Sequence, residues 1–375
     1  MRIAHVIPSL ARGGAERLTL DIVETLRLMG HDAVIFCLSG ENLYAEDYPE
    51  IHPIVVSDHF RPSLRKFWKR STQDGLTKAL KDWKPDVVHS HLWAAEVALI
   101  PFEDAPRFVV HMHDNMPQLK PFPSTGKLDR RAFTDAFERR LVLQSWKKKE
   151  IHLLCISHDA LDYARSTLPN HPDIQIFYRP NAINLTRFKR PKGLKTVHNK
   201  IFTLVNVGSF VPKKNQSFLL DVLEILIGQY HVETRLVLLG DGPLRSMLRE
   251  KVTQKRLESY VEMPGNVSNV AEYFHEADVY VHSAWYEPFG LVLLEAMAAG
   301  LPVVALDGRG NRDIIQDGIN GFLLEENDPG HFARTLLQLR DDAELRENLI
   351  REGFRTSEAH DILHYCKRLV DEHYR

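Results

Sequence analysis

Short apolar runs alternate with amphipathic helical stretches along this chain, and the alternation occurs twice. RIAHVI reads as a buried strand, and a glycine-rich turn then leads into a stretch where Leu18, Ile22, Leu26 and Met29 recur at helical spacing before Gly30 stops it. DAVIFCL, DVVHSH, RFVVHMHD and HLLCIS follow as further strand patterns separated by helical segments. This is the alternation of a parallel, doubly wound sheet. A second set begins after the Pro-, Asn- and Lys-rich stretch YRPNAINLTRFKRPKGLKTVHNK, which reads as a linker. It comprises IFTLVNVG, a helix from about Gln216, then TRLVLLGDGP, YVEMPG, ADVYVHS, LPVVALD and GFLL. The expected fold class is therefore α/β, with two Rossmann-like domains, 1–185 and 186–356, whose carboxyl-end loops face a central cleft. Residues 357–375 read as an amphipathic helical tail.

The length of 375 residues suits two such domains, and 44% hydrophobic with 26% charged residues is a globular balance. No apolar run reaches the roughly 18 to 20 residues of a membrane span. MRIAHVIPSL is too short for a signal peptide and lacks a small-residue cleavage pattern. Cys37, Cys155 and Cys366 have neither zinc-site nor disulfide-framework spacing, so a cytoplasmic location is expected. The net charge of −2 is unevenly placed: residues 1–190 carry 27 Lys/Arg against 23 Asp/Glu. The local excess lies in RPSLRKFWKR, with Arg65, Lys66, Lys69 and Arg70, and in the basic groups flanking Trp146. Basic residues mixed with aromatics suit an anionic membrane surface, so peripheral attachment to the inner face of a membrane is one expectation. A solvated charged face is the plainer one.

The segment SAWYEPFGLVLLEAMAAG holds two carboxylates, Glu287 and Glu295, in otherwise apolar surroundings. Pro288 and Gly290 place Glu287 in a loop ahead of a helix that opens near Gly290, and Gly300 with Pro302 stops it. Glu295 then lies little more than one turn inside, with almost no polar face to belong to. A carboxylate buried there needs partners, and ligand hydroxyls are suitable ones. The free N–H groups at Gly290, Leu291 and Val292 face any anion at the helix start. A ligand carrying both phosphate and sugar hydroxyls satisfies the whole segment.

Other motifs are weaker singly. GGAER, residues 13–17, allows close backbone approach to a phosphate between the first strand and helix, although many such turns are glycine-rich for geometry alone. Neither it nor LLGDGPLR meets G-x-G-x-x-G, since Arg245 stands where the third glycine belongs, and no Walker lysine pattern is present. A dinucleotide oxidoreductase is disfavoured. The pairs His89/His91 and His111/His113 each point one way from a strand end, so a metal site must be weighed. Few carboxylates lie nearby, and hydrogen bonding to substrate is the preferred reading. In VGSFVPKKNQSFLL, Lys213 or Lys214 meets a diphosphate as a point charge. The DG and NG of NRDIIQDGINGFLL read as a structural turn.

Taken in order, GGAER, DVVHSH, VVHMHDN, YRPNAINLTRF, VGSFVPKKNQSFLL, LVLLGDGPL, ADVYVHSAWYEPFGLVLLEAMAAGLPVVA and DGINGFLL strongly resemble the retaining nucleotide-sugar glycosyltransferases of family 4, which have the GT-B fold. The resemblance spans nearly the whole chain, and the E-x7-E of Glu287 and Glu295 is its most specific element. It implies that Glu295 binds ribose hydroxyls and that Glu287 contacts the transferred sugar. The backbone at Phe289, Gly290 and Leu291 would hold sugar and phosphate. Lys214 would bind the diphosphate, Gly14 would reach the same phosphates, and His113 would lie by the sugar at the reacting centre. Gly208, Ser209 and Gly240 would join the donor site, with Met263, Pro264 and Val267 near the base. The final helix would cross back onto the first domain. The family commonly has an arginine where Ser209 stands, and serine cannot replace its bidentate fork. Lys213, Arg245 or a residue of the first domain would have to cover that loss.

The implied activity is transfer of a sugar from a nucleoside-diphosphate sugar, UDP favoured over GDP, to a hydroxyl of a glycan or lipid-linked acceptor in surface polysaccharide or lipopolysaccharide synthesis. Retention of configuration and independence of metals and other cofactors follow from the same resemblance. A non-catalytic glycosyltransferase-like subunit, supported by Ser209, and a GT-B nucleotide-sugar epimerase are the alternatives. Nucleic acid is not an expected partner.

Overall fold

The computed structural model describes residues 1–56, 75–120, 130–168, 172–190 and 201–375. Its strands form two sheets. The first contains β1 (Arg2–Ile7), β2 (Asp32–Cys37), β3 (Ile54–Val55), β4 (Val87–His91), β5 (Arg107–Met112), β6 (Ile151–Cys155) and β7 (Ile174–Tyr178), in the spatial order β3-β2-β1-β4-β5-β6-β7. The second contains β8 (Phe202–Val207), β9 (Thr234–Leu239), β10 (Val261–Gly265), β11 (Val279–His282), β12 (Val303–Leu306) and β13 (Phe322–Leu324), in the order β10-β9-β8-β11-β12-β13. The pairings are parallel, and β4, β6, β11 and β12 are buried along their whole length, as strands covered on both faces must be. Each sheet has one point where the strand order reverses, between β1 and β4 and between β8 and β11. In such sheets the ligand crevice opens there, outside the carboxyl ends of the strands.

The chain divides into two units, residues 1–182 with 362–375, and residues 183–361. The expected limits, 185/186 and 356/357, differ from these at both crossings. Ile183 pairs with Asp361, and its N–H donates to the His360 carbonyl at 3.0 Å, so the two crossing segments are joined inside the second unit. The expected linker is partly structured for the same reason. Leu185–Phe188 is a short helix with Phe188 buried, and Arg190 donates to the His275 carbonyl. Tyr178, placed in that linker, instead ends β7, an edge strand the apolar pattern did not bring out.

The tail is also not one helix from Ser357. Ser357 is buried in the helix Ala343–Ala359, which packs on Leu291–Ala298, and a break at His360 and Asp361 precedes the helix Ile362–Leu369. That last helix lies on Gly14–Leu28 in the first unit. Arg179 there is almost fully buried and contacts Glu372 and His373, which fastens the terminus to β7. The three cysteines are buried, and none is in a disulfide. Among the described residues no helix is long and apolar enough to cross a membrane.

Candidate active site

In the second unit the loops leaving β8 and β11 flank the reversal point, and the sequence puts its chemistry there. After β8, Pro212–Lys214 forms a single tight turn, closed by Asn215 in the left-handed region at φ 51°. After β11, the loop is pinned to that turn by three hydrogen bonds: Trp285 N–H to the Lys213 carbonyl, Trp285 Nε1 to the Pro212 carbonyl, and Ser283 Oγ to the Lys214 carbonyl. Lys214 Nζ consequently stands 2.5 Å from Glu287 Oε2, with side chains only 18% and 9% exposed. Burial alone would raise the Glu287 carboxyl. The Lys214 ammonium and the neighbouring His282 override it and hold the group well below the usual carboxylate range. Glu287 is thus a permanent acceptor for hydroxyls, beside a cation able to meet a phosphate.

Two further residues complete this arrangement. His282 Nε2 lies 3.1 Å from the same Glu287 oxygen, close enough for electrostatic contact although outside hydrogen-bond geometry. Tyr280 Oη is 3.1 Å from His282 Nδ1, and burial pushes the phenol far up, so it keeps its proton. A hydroxyl donating to Nδ1 leaves the imidazole proton on Nε2, toward Glu287. Neither residue was singled out from sequence. The signal was present: His282 ends an apolar strand with a polar side chain, as His91 does.

The Glu287 backbone is clamped from a third loop. Its N–H donates to the Gly308 carbonyl at 2.8 Å, and its carbonyl accepts from Gly310 N–H at 3.0 Å. Asn311, fully buried, accepts from Gly308 N–H and donates to the Leu306 carbonyl. A Cβ on Gly310 would stand 2.0 Å from the Pro288 carbonyl oxygen, a contact with backbone that cannot swing aside. Gly310→Ala is therefore expected to cost about 3 kcal/mol by overpacking and to weaken ligand binding together with the urea midpoint. A variant with both unchanged would mean that the loops are not this close.

The remaining residues expected at the donor site in the second unit lie as follows. Gly240, at φ 130°, packs so tightly on Gly208 that a Cβ would meet the Gly208 carbonyl oxygen at 2.2 Å, while a Cβ on Gly208 itself would touch the Lys214 stem. Gly290, at φ 103°, caps the helix Leu291–Ala298 and lies against Glu287 Cγ. Phe289 and Glu295 are buried, the latter inside that helix. Met263 lies on β10, its carbonyl accepting from Arg245, with Pro264 beside it and Val267 just beyond the strand. Ser209 is exposed. Of the groups considered as cover for the missing arginine, Arg245 is engaged by Asp241 and Met263, whereas Lys213 Nζ lies over the Tyr286 ring. The segment from Asp317 to Gly321 is a turn, as its composition predicted.

Gly14 and His113 belong to the first unit. Gly14 begins the helix Gly14–Leu28, and Tyr44 bonds both backbone groups of Gly13. His113 follows β5 directly and stands in a cluster of imidazoles with His5, His89, His91 and His111, all but His113 fully buried. His91 bonds His113 on one side and His5 on the other, each at 2.9 Å. His89 meets the Tyr374 hydroxyl at 2.6 Å, and His111 meets Asn181 Oδ1 at 3.0 Å. Burial holds these rings neutral, joined for His5, His89, His91 and His113 by repulsion from neighbouring imidazoles: His5 falls to about 3 and His113 lies well below its ordinary value. Two triplets, His5/His89/His91 and His91/His111/His113, have nitrogens within 4.8 Å of one another, the spacing a metal ion would need. Neither contains an anionic ligand, and the rings already bond each other.

Trp146 corrects one expectation. Rather than facing a membrane, it is buried and donates from Nε1 to Glu96 at 2.9 Å, while Lys149 donates to the Leu99 carbonyl. An indole that large is better covered by the core when its N–H finds a partner there. Arg65, Lys66, Lys69 and Arg70 lie outside the described residues.

The family described as Glycosyltransferase Family 4 matches residues 12–187, and the family described as Glycosyl transferases group 1 matches residues 188–356. The N-acetyl-alpha-D-glucosaminyl L-malate synthase of Bacillus anthracis is 30% identical over 202 residues, covering 52% of this chain and 51% of its own length. The chain spans about half the length of the first curated relatives it matches. The UDP-Gal:alpha-D-GlcNAc-diphosphoundecaprenol alpha-1,3-galactosyltransferase of Escherichia coli is 28% identical over 364 residues, covering 91% of this chain and 88% of that one. Among solved structures, Anabaena HepE in complex with UDP and glucose superimposes with a TM-score of 0.76 at 18% identity, over 99% of this chain and 98% of that one.

Proposed function

Since the chain belongs to glycosyltransferase family 4 and has the GT-B fold of two parallel-sheet domains, we propose that it moves a sugar from a nucleoside-diphosphate sugar to a hydroxyl of a glycan or lipid-linked acceptor. The observation that carries this reading is the nearly dry Lys214–Glu287 pair at the reversal point of the second sheet, just ahead of the helix that holds Glu295. Lys214 and the amides at Gly290 and Leu291 stabilise charge growing on the leaving diphosphate, preorganised electrostatics of the kind that usually supplies the largest catalytic term. Glu287 accepts from hydroxyls of the transferred sugar, and Glu295 from those of the ribose. Gly14, Gly208, Ser209, Gly240, Phe289, Met263 and Val267 complete the donor site in this reading, and His113 attends the sugar. No divalent ion is required, because the cation and the amides do that work. Transfer proceeds with retention, the leaving phosphate taking the acceptor's proton.

UDP is the favoured nucleotide. HepE was crystallised with UDP and glucose, and the Escherichia coli relative is named for a UDP-sugar donor and a diphosphoundecaprenol-linked acceptor. That acceptor class, and the membrane surface it implies, agree with the basic stretch containing Arg65, Lys66, Lys69 and Arg70.

Calorimetric titration with UDP, GDP, CMP and NAD tests the donor assignment. One nucleoside diphosphate is expected to bind, and Glu295→Ala to weaken it about 10- to 100-fold, the loss of charged hydrogen bonds to hydroxyls. If none binds, the non-catalytic subunit becomes the better reading, with Ser209 as its cause.

A further inference from the structure

The histidine cluster of the first unit contains a chain with a direction. His113 Nε2 meets His91 Nδ1 at 2.9 Å, and His91 Nε2 meets His5 Nδ1 at 2.9 Å. The three rings come from three adjacent places in one sheet: His5 on β1, His91 at the end of β4 and His113 just past β5. A neutral imidazole has one N–H and one lone pair, so both links can form only if all three N–H groups point the same way along the chain.

The two senses are not equivalent. If the protons point toward His5, its Nε2 carries an N–H that is buried with no partner among the described residues. If they point toward His113, His5 Nε2 is left with a lone pair, and the N–H at the other end falls on His113 Nδ1. Buried orphan backbone N–H groups are rarer in folded proteins than under-satisfied acceptors, and in this cluster His111, whose N–H goes to Asn181, already leaves its Nδ1 as a buried acceptor with no partner. His113 is also the one residue of the three with any exposed surface, 8% against 0%. The neighbouring His111 has its own tautomer fixed separately, since Asn181 Oδ1 accepts from its Nε2.

We propose that His5 and His91 are positioning residues that lock His113 in its Nδ1–H tautomer, so that His113 presents a hydrogen-bond donor, not a base, to an oxygen of the bound ligand. The effect on turnover rests on the reading of His113 as the group attending the sugar; the tautomers themselves do not.

Long-range proton–nitrogen correlation spectra of the nitrogen-15-labelled full chain at neutral pH read the tautomers directly. The expected result is Nδ1–H on His5, His91 and His113 alike. His5→Asn can still donate from the Nδ1 position and is expected to leave that pattern in place. His5→Asp can only accept, so it is expected to reverse the chain to Nε2–H on His91 and His113 and lower kcat about ten-fold with donor KM unchanged, the loss of one hydrogen bond in the transition state. Nε2–H on His113 in the unaltered protein, rings of mixed sense, or a co-purifying metal ion whose removal shifts the ring nitrogens would each overturn the proposal. Should His5→Asp fail to fold, the spectra of the unaltered protein decide. A His113→Ala variant with full turnover would separately remove the sugar-facing reading.

Discussion

Lys214→Ala is expected to lower kcat/KM for the nucleotide-sugar donor by about 10³-fold, the loss found when one preorganised charge-stabilising donor is removed from an active site. Two effects act together. On the proposed mechanism the leaving diphosphate loses its cation, and Glu287 is left buried beside His282. Burial then raises the carboxyl instead of being overridden, and breaking a buried pair from one side costs roughly 3–5 kcal/mol. Lys214→Arg should recover only part of the activity, because a planar fork does not reproduce a point charge placed 2.5 Å from one carboxylate oxygen. Glu287→Gln removes the same pair from the other side. The double variant should therefore be far less impaired than the product of the single losses, since the two residues act as one unit. Steady-state kinetics with the donor identified by calorimetry would decide it. A loss of less than about ten-fold in Lys214→Ala, below even the loss of a single charged hydrogen bond, would remove the pair from the mechanism.

The second large effect concerns acid. Five neutral imidazoles in one unit should make it lose stability steeply as pH falls below about 6.5, the value a histidine has in the unfolded chain. His5 lies at about 3 and His111 at about 4, while burial first and neighbouring imidazoles second hold His89, His91 and His113 well below the ordinary histidine value. The folded unit therefore binds fewer protons on these rings at pH 5.5 than the unfolded chain does. Stability rises with pH wherever the unfolded state binds more protons, so acidification favours unfolding through this window. A ring that stays neutral while its unfolded counterpart is protonated contributes about 1.4 kcal/mol per pH unit, so several acting together weigh against the whole stability of an ordinary domain. Glu287 works at lower pH: its stabilisation is present above the unfolded carboxylate value of 4.5 and is lost below it. Scanning calorimetry from pH 7.5 to 5, with proton uptake read from buffers of different ionisation enthalpy, tests the claim. A Tm that stays level across that range would refute the neutral cluster.

Much of the fold could be read from the chain in order. Strand and helix alternation gave both parallel sheets, because burial on two faces produces short continuous apolar runs between amphipathic helices. Glu295 inside an apolar helix, the opening of that helix near Gly290 and the histidine pairs on one strand face were equally legible. Each depends on residues that follow one another, and periodicity records that.

What the sequence alone could not give was who meets whom across the sheet. Lys214 and Glu287 lie 73 positions apart, yet the reversal between β8 and β11 brings their loops together. His5 joins His91 because β1 pairs with β4, and nothing within RIAHVI records that pairing. Trp146, basic-flanked and surface-like in sequence, is interior because Glu96 waits for its N–H. Gly308 and Gly310 matter through the Glu287 backbone that presses on them, and His282 through the carboxylate that it faces. Local pattern is a property of consecutive side chains and survives in the sequence. Contact between loops follows from strand order and register, which only the folded sheet fixes.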